Sequence, residues 1–424
     1  MTNILVLLLL LQLLIFANEP IETENKQAPK ENLNSVSDEK PFSEWDYATG
    51  NWGGMRTDLQ DRGIFFEIAY TGEVVSNVAG GVARQTEYLD NVDLIMSIDG
   101  EKLFGWSGST FLIYGIGNYG GDPSENVGDA QGTSNIEAPD TFKLYEAWWQ
   151  QNFFGDQLSF KIGLYDINSE FDVIEAAGLF LNGSHGIGAD YSQSGVNGPS
   201  IFPVTSLAAR VLVQATQNIY LLAAVLDGIP GDPDDEVGTH VILKRDDGLL
   251  FAGEIGYITY SENDESQVYS KYALGGWYYT EEFEDVARED DFHRGNAGLY
   301  LLMEQTVICD GNSPRGVVYA RIGAANSNVN QFAAYSGFGF AYTGLVPNRN
   351  EDSIGIATAI AYNGNDFINA NGANAFEASI EFTYLAQITP WFTLQPNIQY
   401  VINPGTDPDL DDAVVLALRF SVLL

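Results

Sequence analysis

Along most of the chain from Ile64 onward, apolar and polar residues alternate with a period of two. In residues 391–402, WFTLQPNIQYVI, the even-numbered positions from 392 onward are apolar. The odd-numbered positions from 393 to 399 carry Thr, Gln, Asn and Gln on the other face. The same alternation recurs at 64–72, 374–387 and 413–424. Because successive side chains of a strand point to opposite faces, the pattern predicts strands with one apolar face and one polar face.

The number of strands follows from the lengths of the connections. Seventeen segments alternate, but a single-chain bacterial barrel of this kind has an even number, with short turns at one end and longer loops at the other. The short links at 100–105, 153–156, 216–218 and 388–390 must share one end. The longer segments at 76–87, 118–140, 167–204, 281–294 and 403–412 must share the other. The short and long connections can be assigned to opposite ends in this way only if the piece from His240 to Lys244 belongs to a long outer excursion, 229–248, and is not a strand. Sixteen strands are then predicted, at 64–75, 88–99, 106–117, 141–152, 157–166, 206–215, 219–228, 249–260, 269–280, 295–307, 316–326, 333–344, 352–363, 374–387, 391–402 and 413–424.

The residues before Ile64 have a different character. Residues 4–16, ILVLLLLLQLLIF, have the length of a signal-peptide apolar region, so residues 1–17 are predicted to be a signal peptide; an uncleaved anchor is the alternative. Residues 18–42 are polar and predict a flexible periplasmic tether. Within 43–63, Met55 and Leu59 share one helical face, which predicts a short N-terminal helix that either packs on the fold or plugs a channel.

Alternation alone does not distinguish a soluble β-sandwich from a membrane barrel. Three features favour an antiparallel transmembrane β-barrel over residues 64–424: the export signal, strands of about 10 residues or more, and aromatic residues near strand ends. Trp106, Trp149, Trp277 and Trp391 are predicted to belong to that interfacial aromatic girdle. Sixteen strands enclose a water-filled lumen, so the fold class predicts a pore.

Composition excludes several other classes of protein. Acids outnumber bases 58 to 19, a formal charge of −39, which argues against a nucleic-acid partner. The single cysteine, Cys309, cannot form an intrachain disulfide. His185, His240 and His293 all fall in predicted loops without zinc-ligand spacing or a nucleophile motif, so no catalytic residues, metal site or cofactor is predicted, and the chain is not expected to be an enzyme.

Charged residues on the polar faces of the strands are predicted to line the lumen, because a base facing lipid at mid-bilayer costs about 2–4 kcal/mol. They are Glu67, Glu146, Lys161, Arg210, Glu254, Glu304, Arg321, Glu381 and Arg419. Either they set a transverse field and bind solutes at a constriction, or they form salt bridges that satisfy one another. For Arg419 the salt-bridge interpretation is favoured.

The segment YDINSEFD, where the fifth strand enters a long loop, adds three acids to this set. Asp166, Glu170 and Asp172 are predicted to lie at the narrowing of the lumen; loop solvation or capping of a short helix is the alternative. Trp148 shares the face of Glu146 and is the aromatic residue predicted to face the lumen, whereas Trp149 is better explained by the girdle.

Several motifs resemble the carbohydrate-selective porin family, the OprB-type porins of Gram-negative outer membranes. They are GNWGGMRTDLQDRGI at 50–64, YEAWWQQNFFGDQLSFKIGLYDINSEFD at 145–172, FLNGSHGIG at 180–188, YALGGWYYT at 272–280, ITPWFTLQPNIQYVINPG at 388–405 and the terminal AVVLALRFSVLL. The resemblance covers the chain from Trp45 onward. It implies a sixteen-stranded barrel in the bacterial outer membrane that passes small sugars down their gradient, with the loop at 167–204 folded into the lumen.

The sequence also bears on the surroundings of such a barrel. A homo-oligomer is left open, and outer-membrane lipid and lipopolysaccharide are the expected neighbours. Acidic runs such as GDPDDE at 231–236, EEFED at 281–285 and DPDLDD at 407–412 either bind Ca²⁺ or are solvated loops, and the second interpretation is favoured. A general or cation-favouring porin without sugar selectivity is the alternative function, because an acidic mouth repels anions.

Overall fold

The computed structural model describes residues 41–260, 269–310 and 313–424, and the described residues form sixteen strands. The predicted signal peptide and nearly all of the predicted tether lie outside them. The strands, β1 to β16 in chain order, are Ile64–Ala79, Thr86–Asp99, Ser109–Gly120, Thr141–Phe153, Leu158–Tyr165, Ser206–Gln214, Ile219–Asp227, Leu249–Tyr260, Tyr269–Asp285, Arg288–Asp310, Ser313–Ala325, Phe332–Thr343, Ser353–Asn363, Phe376–Thr389, Phe392–Ile402 and Ala413–Leu423. The predicted strand number is therefore confirmed.

Every strand pairs antiparallel with its neighbours in the sequence, and β1 pairs with β16, which closes the sheet into a barrel. The closing register places Glu73 opposite Arg419. Because closure leaves no unpaired edge, every strand satisfies its backbone hydrogen bonds within the barrel, as a membrane-spanning sheet requires.

The alternation seen in the sequence separates the two faces of the barrel wall. On β15, Ile398 and Tyr400 are 42% and 41% exposed on the outside, whereas Gln399 between them is fully buried inside. The same contrast on β9 places Leu274 outward at 52% exposure and Ala273 inward at 2%. Trp277 also faces inward, at 3% exposure, so its prediction as a girdle residue is wrong.

Connections of different length lie at the two ends. The longest loops, 121–140, 166–205 and 228–248, all follow odd-numbered strands, whereas the links after even-numbered strands, at the end that porin architecture assigns to the periplasm, have at most nine residues. The segment between β7 and β8 contains no strand, as predicted for 229–248. The prediction of a long loop at 281–294 is wrong, because β9 continues to Asp285 and β10 already begins at Arg288, so that the two strands form a hairpin. His293 consequently lies in a strand, not in a loop.

Helices are short and few among the described residues. The α-helices, α1 to α5, are Met55–Asp61, Gly100–Phe104, Pro123–Val127, Ala189–Ser192 and Asn365–Asn371; 3₁₀ turns are Phe42–Glu44, Trp52–Gly54, Ile167–Ser169, Glu175–Leu179, Gly183–His185 and Pro404–Thr406. In the described part of the chain, no helix has both the length and the apolar character needed to cross a membrane.

The predicted N-terminal helix is α1, and its contacts are with the rim of the barrel. Arg56 is 4% exposed and donates hydrogen bonds to the carbonyls of Phe66 and Leu424, at 3.3 and 2.8 Å. Its guanidinium also lies 3.7 Å from the ring centroid of Tyr47. These contacts support the interpretation that α1 packs against the seam between β1 and β16.

Candidate functional site

The lumen is narrowed by the loop between β5 and β6, residues 166–205, which we call the inward loop. Four of its large apolar side chains are almost completely buried: Ile167, Phe171, Phe180 and Tyr191 are each at most 1% exposed. They pack in one cluster with inward-facing residues of β6 to β10, which are Ala208, Leu222, Ala224, Leu226, Leu250, Ala252 and Leu302. Much of the inner face of this part of the wall is apolar, and the loop removes that apolar surface from water.

Glutamates of the barrel wall, on β10 and β14, hold the backbone of the inward loop. Glu304 accepts hydrogen bonds from the amides of Glu175 and Ala176, at 3.1 and 2.6 Å. Glu381 accepts from the amides of Leu181 and Asn182, at 2.6 and 3.1 Å. Each carboxylate thus satisfies two consecutive buried N–H groups that the loop cannot satisfy itself.

Glu254 holds the beginning of the same loop. It accepts from the amide of Asp172 at 3.0 Å and from the hydroxyls of Tyr220 and Tyr300 at 2.5 and 2.6 Å. Three of the glutamates predicted to line the lumen therefore contact loop backbone and are not free in the channel.

A second loop, residues 121–140, also folds into the lumen. Glu377 accepts from the amides of Ala130 and Gln131, at 2.8 and 3.0 Å. The loop joins the inward loop through a hydrogen bond from the amide of Asn135 to the carbonyl of Leu181, 2.7 Å long. The position of this loop inside the lumen was not predicted from the sequence, although Glu377 lies on the same strand face as Glu381.

Three charged residues where the inward loop begins form the first ion-pair cluster. Glu170 accepts from the Arg210 guanidinium, with Nε at 2.8 Å, and lies 3.3 Å from the Lys161 ammonium. Arg210 and Lys161 are 1% and 6% exposed, whereas the Glu170 side chain keeps 23% exposure toward the lumen. Burial opposes ionisation of Glu170, but Lys161 and Arg210 outweigh it and lower the pKa of that carboxyl to about 2.

Asp166, Glu146 and Trp148 form a connected set beside this cluster. Asp166 accepts from the amide of Asn168 at 2.8 Å, which caps the 3₁₀ turn that follows, and from the Tyr145 hydroxyl at 2.6 Å. Glu146 accepts from the Trp148 indole at 3.0 Å and from the amide of Asp166 at 3.2 Å. Asp166 thus performs the capping role that the sequence analysis gave as the alternative.

The face of Trp148 is occupied. Its indole is 7% exposed, and the Lys161 ammonium lies 4.2 Å from the ring centroid. Trp149 donates from its indole to Ser109 and stacks near Trp106, 5.4 Å between centroids. Trp148 therefore contributes to the cation–π contact that fixes Lys161.

A second cluster joins β11 to the middle of the inward loop. The Arg321 guanidinium forms ion pairs with Asp172, at 2.7 Å, and with Asp190. It also lies 5.5 and 5.0 Å from the ring centroids of Tyr300 and Tyr335. Asp190 was not found from the sequence, because it belongs to a loop whose path no local pattern reveals.

Arg419 and Glu67 lie on the other side of the barrel. Arg419 pairs with Glu73 across the closing seam, with Nε 2.7 Å from the carboxylate, which fits the salt-bridge interpretation. Glu73 was not singled out from the sequence, although it shares the face of Glu67. One oxygen of Glu67 has no hydrogen-bond partner among the described residues.

His185 lies in the inward loop, and burial lowers its pKa to about 3, so the imidazole is neutral. Its Nδ1 is 3.2 Å from the Tyr319 hydroxyl. On the outer hairpin, the ligand atoms of Asp285, Asp291 and His293 lie within 4.8 Å of one another. Arg288 already pairs with Asp285 at 2.6 Å, so a cation there would compete with a guanidinium.

Comparison with known proteins agrees with this architecture. The model of the carbohydrate-selective porin, OprB family, matches residues 83–423. Porin B of Pseudomonas aeruginosa is 25% identical over 427 residues, covering 90% of this chain and 92% of that protein. The putative porin QuiX of Acinetobacter baylyi is 22% identical over 406 residues, covering 87% and 91%. The high-pH structure of Pseudomonas putida OprB matches the fold with a TM-score of 0.80 at 21% identity, covering 91% of this chain and 100% of that one. Since the family match extends over most of the chain, this protein belongs to the carbohydrate-selective porin, OprB family, and is a non-enzymatic channel of the bacterial outer membrane.

Proposed function

We propose that the channel passes small neutral sugars by passive diffusion along the surface of the inward loop. The observation that supports this most directly is that four basic residues buried inside the barrel form ion pairs, while a fifth, Lys271, donates to the carbonyl of Val173 in the inward loop. Lys161 and Arg210 pair with Glu170, Arg321 with Asp172 and Asp190, and Arg419 with Glu73. Because opposite charges lie within hydrogen-bond distance, their fields cancel over a few ångströms, and polar groups remain that exchange hydrogen bonds with hydroxyls.

The charge of the whole chain favours a second function of the same channel. A formal charge of −39 makes the protein surface repel anions and attract cations. A general porin with cation preference and no sugar selectivity would show the same ion selectivity. The two functions differ only in whether sugars interact with the narrowing.

The partners beyond the solute stay predictions. For Ca²⁺ to bridge lipopolysaccharide to the acidic outer loops, several carboxylates would have to converge on one cation. Asp285 and Asp291 converge in this way, but Arg288 already forms an ion pair with Asp285. A homo-oligomer would require part of the apolar outer wall to face another copy instead of lipid.

Single-channel recording of the purified chain in planar bilayers, with glucose and malto-oligosaccharides titrated, tests the proposal. We expect steady conductance with mild cation preference, reduced in a saturable way by sugar. Absence of conductance would contradict the channel. Conductance that no sugar changes would leave the general porin as the function.

A further inference from the structure

The outer mouth of the barrel contains a cavity of about 320 Å³, lined in part by the last residues of the inward loop. It lies between the end of the inward loop, the excursion 229–248 and the outer end of β4. The residues that matter for its chemistry are Lys143, Phe202, Asp232, Asp235, Glu236 and His240. Its volume is near the lower limit of about 300 Å³ for small-molecule sites, so it matches a single sugar ring better than a chain of them.

Hydrogen bonds hold the walls of this outer-mouth cavity together. The amide of Gly238 donates to the Thr141 hydroxyl at 2.9 Å, and the Thr239 hydroxyl donates to the carbonyl of Leu144 at 2.8 Å. Asn197 of the inward loop donates to the carbonyl of Pro230 at 2.7 Å. The excursion thus folds back across the mouth and forms a wall opposite β4.

Lys143 is the feature that points to a ligand. Its side chain lines the cavity and is 6% exposed, its ammonium forms no hydrogen bond or ion pair with the described residues, and Glu236 of the facing wall interacts with it only electrostatically. The ammonium has three donors and no acceptor of the described residues in contact with it, so oxygen atoms of a ligand in the cavity would satisfy those donors. Lys161 on the adjacent strand, by contrast, pairs with Glu170.

The opposite wall carries groups of the complementary kind. Asp232, Asp235 and Glu236 are acceptors only, whereas the Lys143 ammonium is a donor only. A hydroxyl both donates and accepts, so a polyhydroxylated ligand satisfies both walls at once. Phe202, beside prolines 139, 199 and 203, supplies an apolar surface for the C–H face of a sugar ring.

The same groups disfavour charged ligands. Three carboxylates repel an anion, and a buried ammonium repels a metal cation. Asp235 is moreover engaged by His240 at 3.3 Å. Among the described residues, the histidine and carboxylate atoms that converge within 4.8 Å are on the hairpin at Asp285, not here.

We propose that the outer-mouth cavity is a binding site for a neutral monosaccharide, in which Lys143 and Glu236 exchange hydrogen bonds with its hydroxyls before it reaches the narrowing. This inference rests on the proposed passage of sugars and adds a capture step to it. Capture raises the local sugar concentration at the mouth when sugar outside is scarce.

Binding of glucose to the detergent-solubilised full chain is measured by isothermal titration calorimetry, with gluconate and CaCl₂ as comparison probes. We expect saturable glucose binding that Lys143→Met weakens roughly tenfold, since a hydrogen bond to a charged group contributes on that scale. Glu236→Gln, at an exposed position that does not endanger folding, is expected to weaken it severalfold. Lys244→Met is the matched control, because it removes the same charge from the same mouth at an exposed residue outside the cavity.

Sugar flux into liposomes separates this proposal from the function on which it rests. We expect Lys143→Met to slow glucose entry at low concentration and to leave entry at high concentration unchanged. Glucose affinity equal to wild type in both Lys143→Met and Glu236→Gln, with flux intact, would overturn the capture site alone. Tighter binding of gluconate or Ca²⁺ than of glucose would overturn its neutral-sugar chemistry, and absence of any sugar flux in the wild type would contradict the proposed function itself.

Discussion

At the scale of residues, the lumen stabilises its buried charges by pairing them locally. Glu170 forms ion pairs with two basic residues, and Arg321 forms ion pairs with two acidic residues. Removing one member of such a set leaves an uncompensated buried charge, which is strongly destabilising. Glu170 is the member of its cluster that keeps contact with water, so its ionisation controls the charge that a passing ion encounters.

Acidification therefore changes ion selectivity through Glu170. Its pKa is about 2, below the ordinary value of 4.5, so the ion pairs are fully present above about pH 4.5 and are lost as the pH falls toward 2. Protonation leaves Lys161 and Arg210 uncompensated, and we expect the cation preference to decrease over that window. A unit charge about 8 Å from an ion changes its energy by about 0.5 kcal/mol in water, roughly a twofold change in permeability ratio.

Reversal potentials in a KCl gradient, from pH 7 to pH 2, measure the effect. Glu170→Gln is the control, because the amide does not titrate and should show weaker cation preference already at pH 7. A difference between wild type and this variant that stays constant over the whole range would contradict the assignment.

At the scale of elements, the inward loop depends on two kinds of support. Its apolar side chains cover the apolar inner faces of β6 to β10. Its backbone amides are held in consecutive pairs by Glu304 and Glu381. A loop buried this deeply would otherwise contain unsatisfied N–H groups, so the glutamates of the wall are what allows it to lie in the lumen.

Glu381→Gln is expected to loosen the middle of the inward loop. The amide offers one acceptor where the carboxylate offers two, and each bond to a charged acceptor contributes about 1.5–3 kcal/mol. Hydrogen–deuterium exchange of Leu181 and Asn182 should therefore accelerate by roughly 10- to 100-fold.

Two controls accompany this variant. The amides of Glu175 and Ala176, held by Glu304, should keep their protection in Glu381→Gln. Glu377→Gln should expose Ala130 and Gln131 of the other loop instead. Unchanged exchange at 181–182 would show that packing alone holds the loop.

At the scale of the whole molecule, stability comes from a closed sheet with an apolar exterior. Leu274 is near the middle of the ladder between β8 and β9 and is 52% exposed on the outside. Leu249 begins β8 at the outer end and is 43% exposed. Although the two side chains are similarly exposed, Leu274 lies near the middle of the bilayer and Leu249 near its outer surface.

Leu274→Arg should lower the free energy of unfolding by about 2–4 kcal/mol and Leu249→Arg by about 0–1 kcal/mol, because a base is costly only in the bilayer interior. Urea titration of folding into lipid vesicles, followed by the heat-dependent shift on gels, measures both. Equal costs at the two positions would contradict the placement of β9 across the bilayer.

The sequence by itself determined the strands, their number and the direction in which most side chains point. This was possible because the period of two and the lengths of the links are local properties, and because parity excluded a seventeenth strand. The sixteen predicted strands correspond to the observed ones within a few residues, apart from the hairpin extension of β9 and β10. Trp277 was misplaced because a position near a strand end does not specify the face.

Only the tertiary structure decided what the inward-facing groups do. Glu381 contacts Leu181 and Asn182 across 200 and 199 positions of the chain, and Arg321 contacts Asp172 across 149. No spacing in the sequence encodes such contacts, because they depend on where a loop without regular structure lies inside a closed wall. The charges could therefore be assigned to the lumen from their register, but their partners, and the second loop beside them, followed only from the packing.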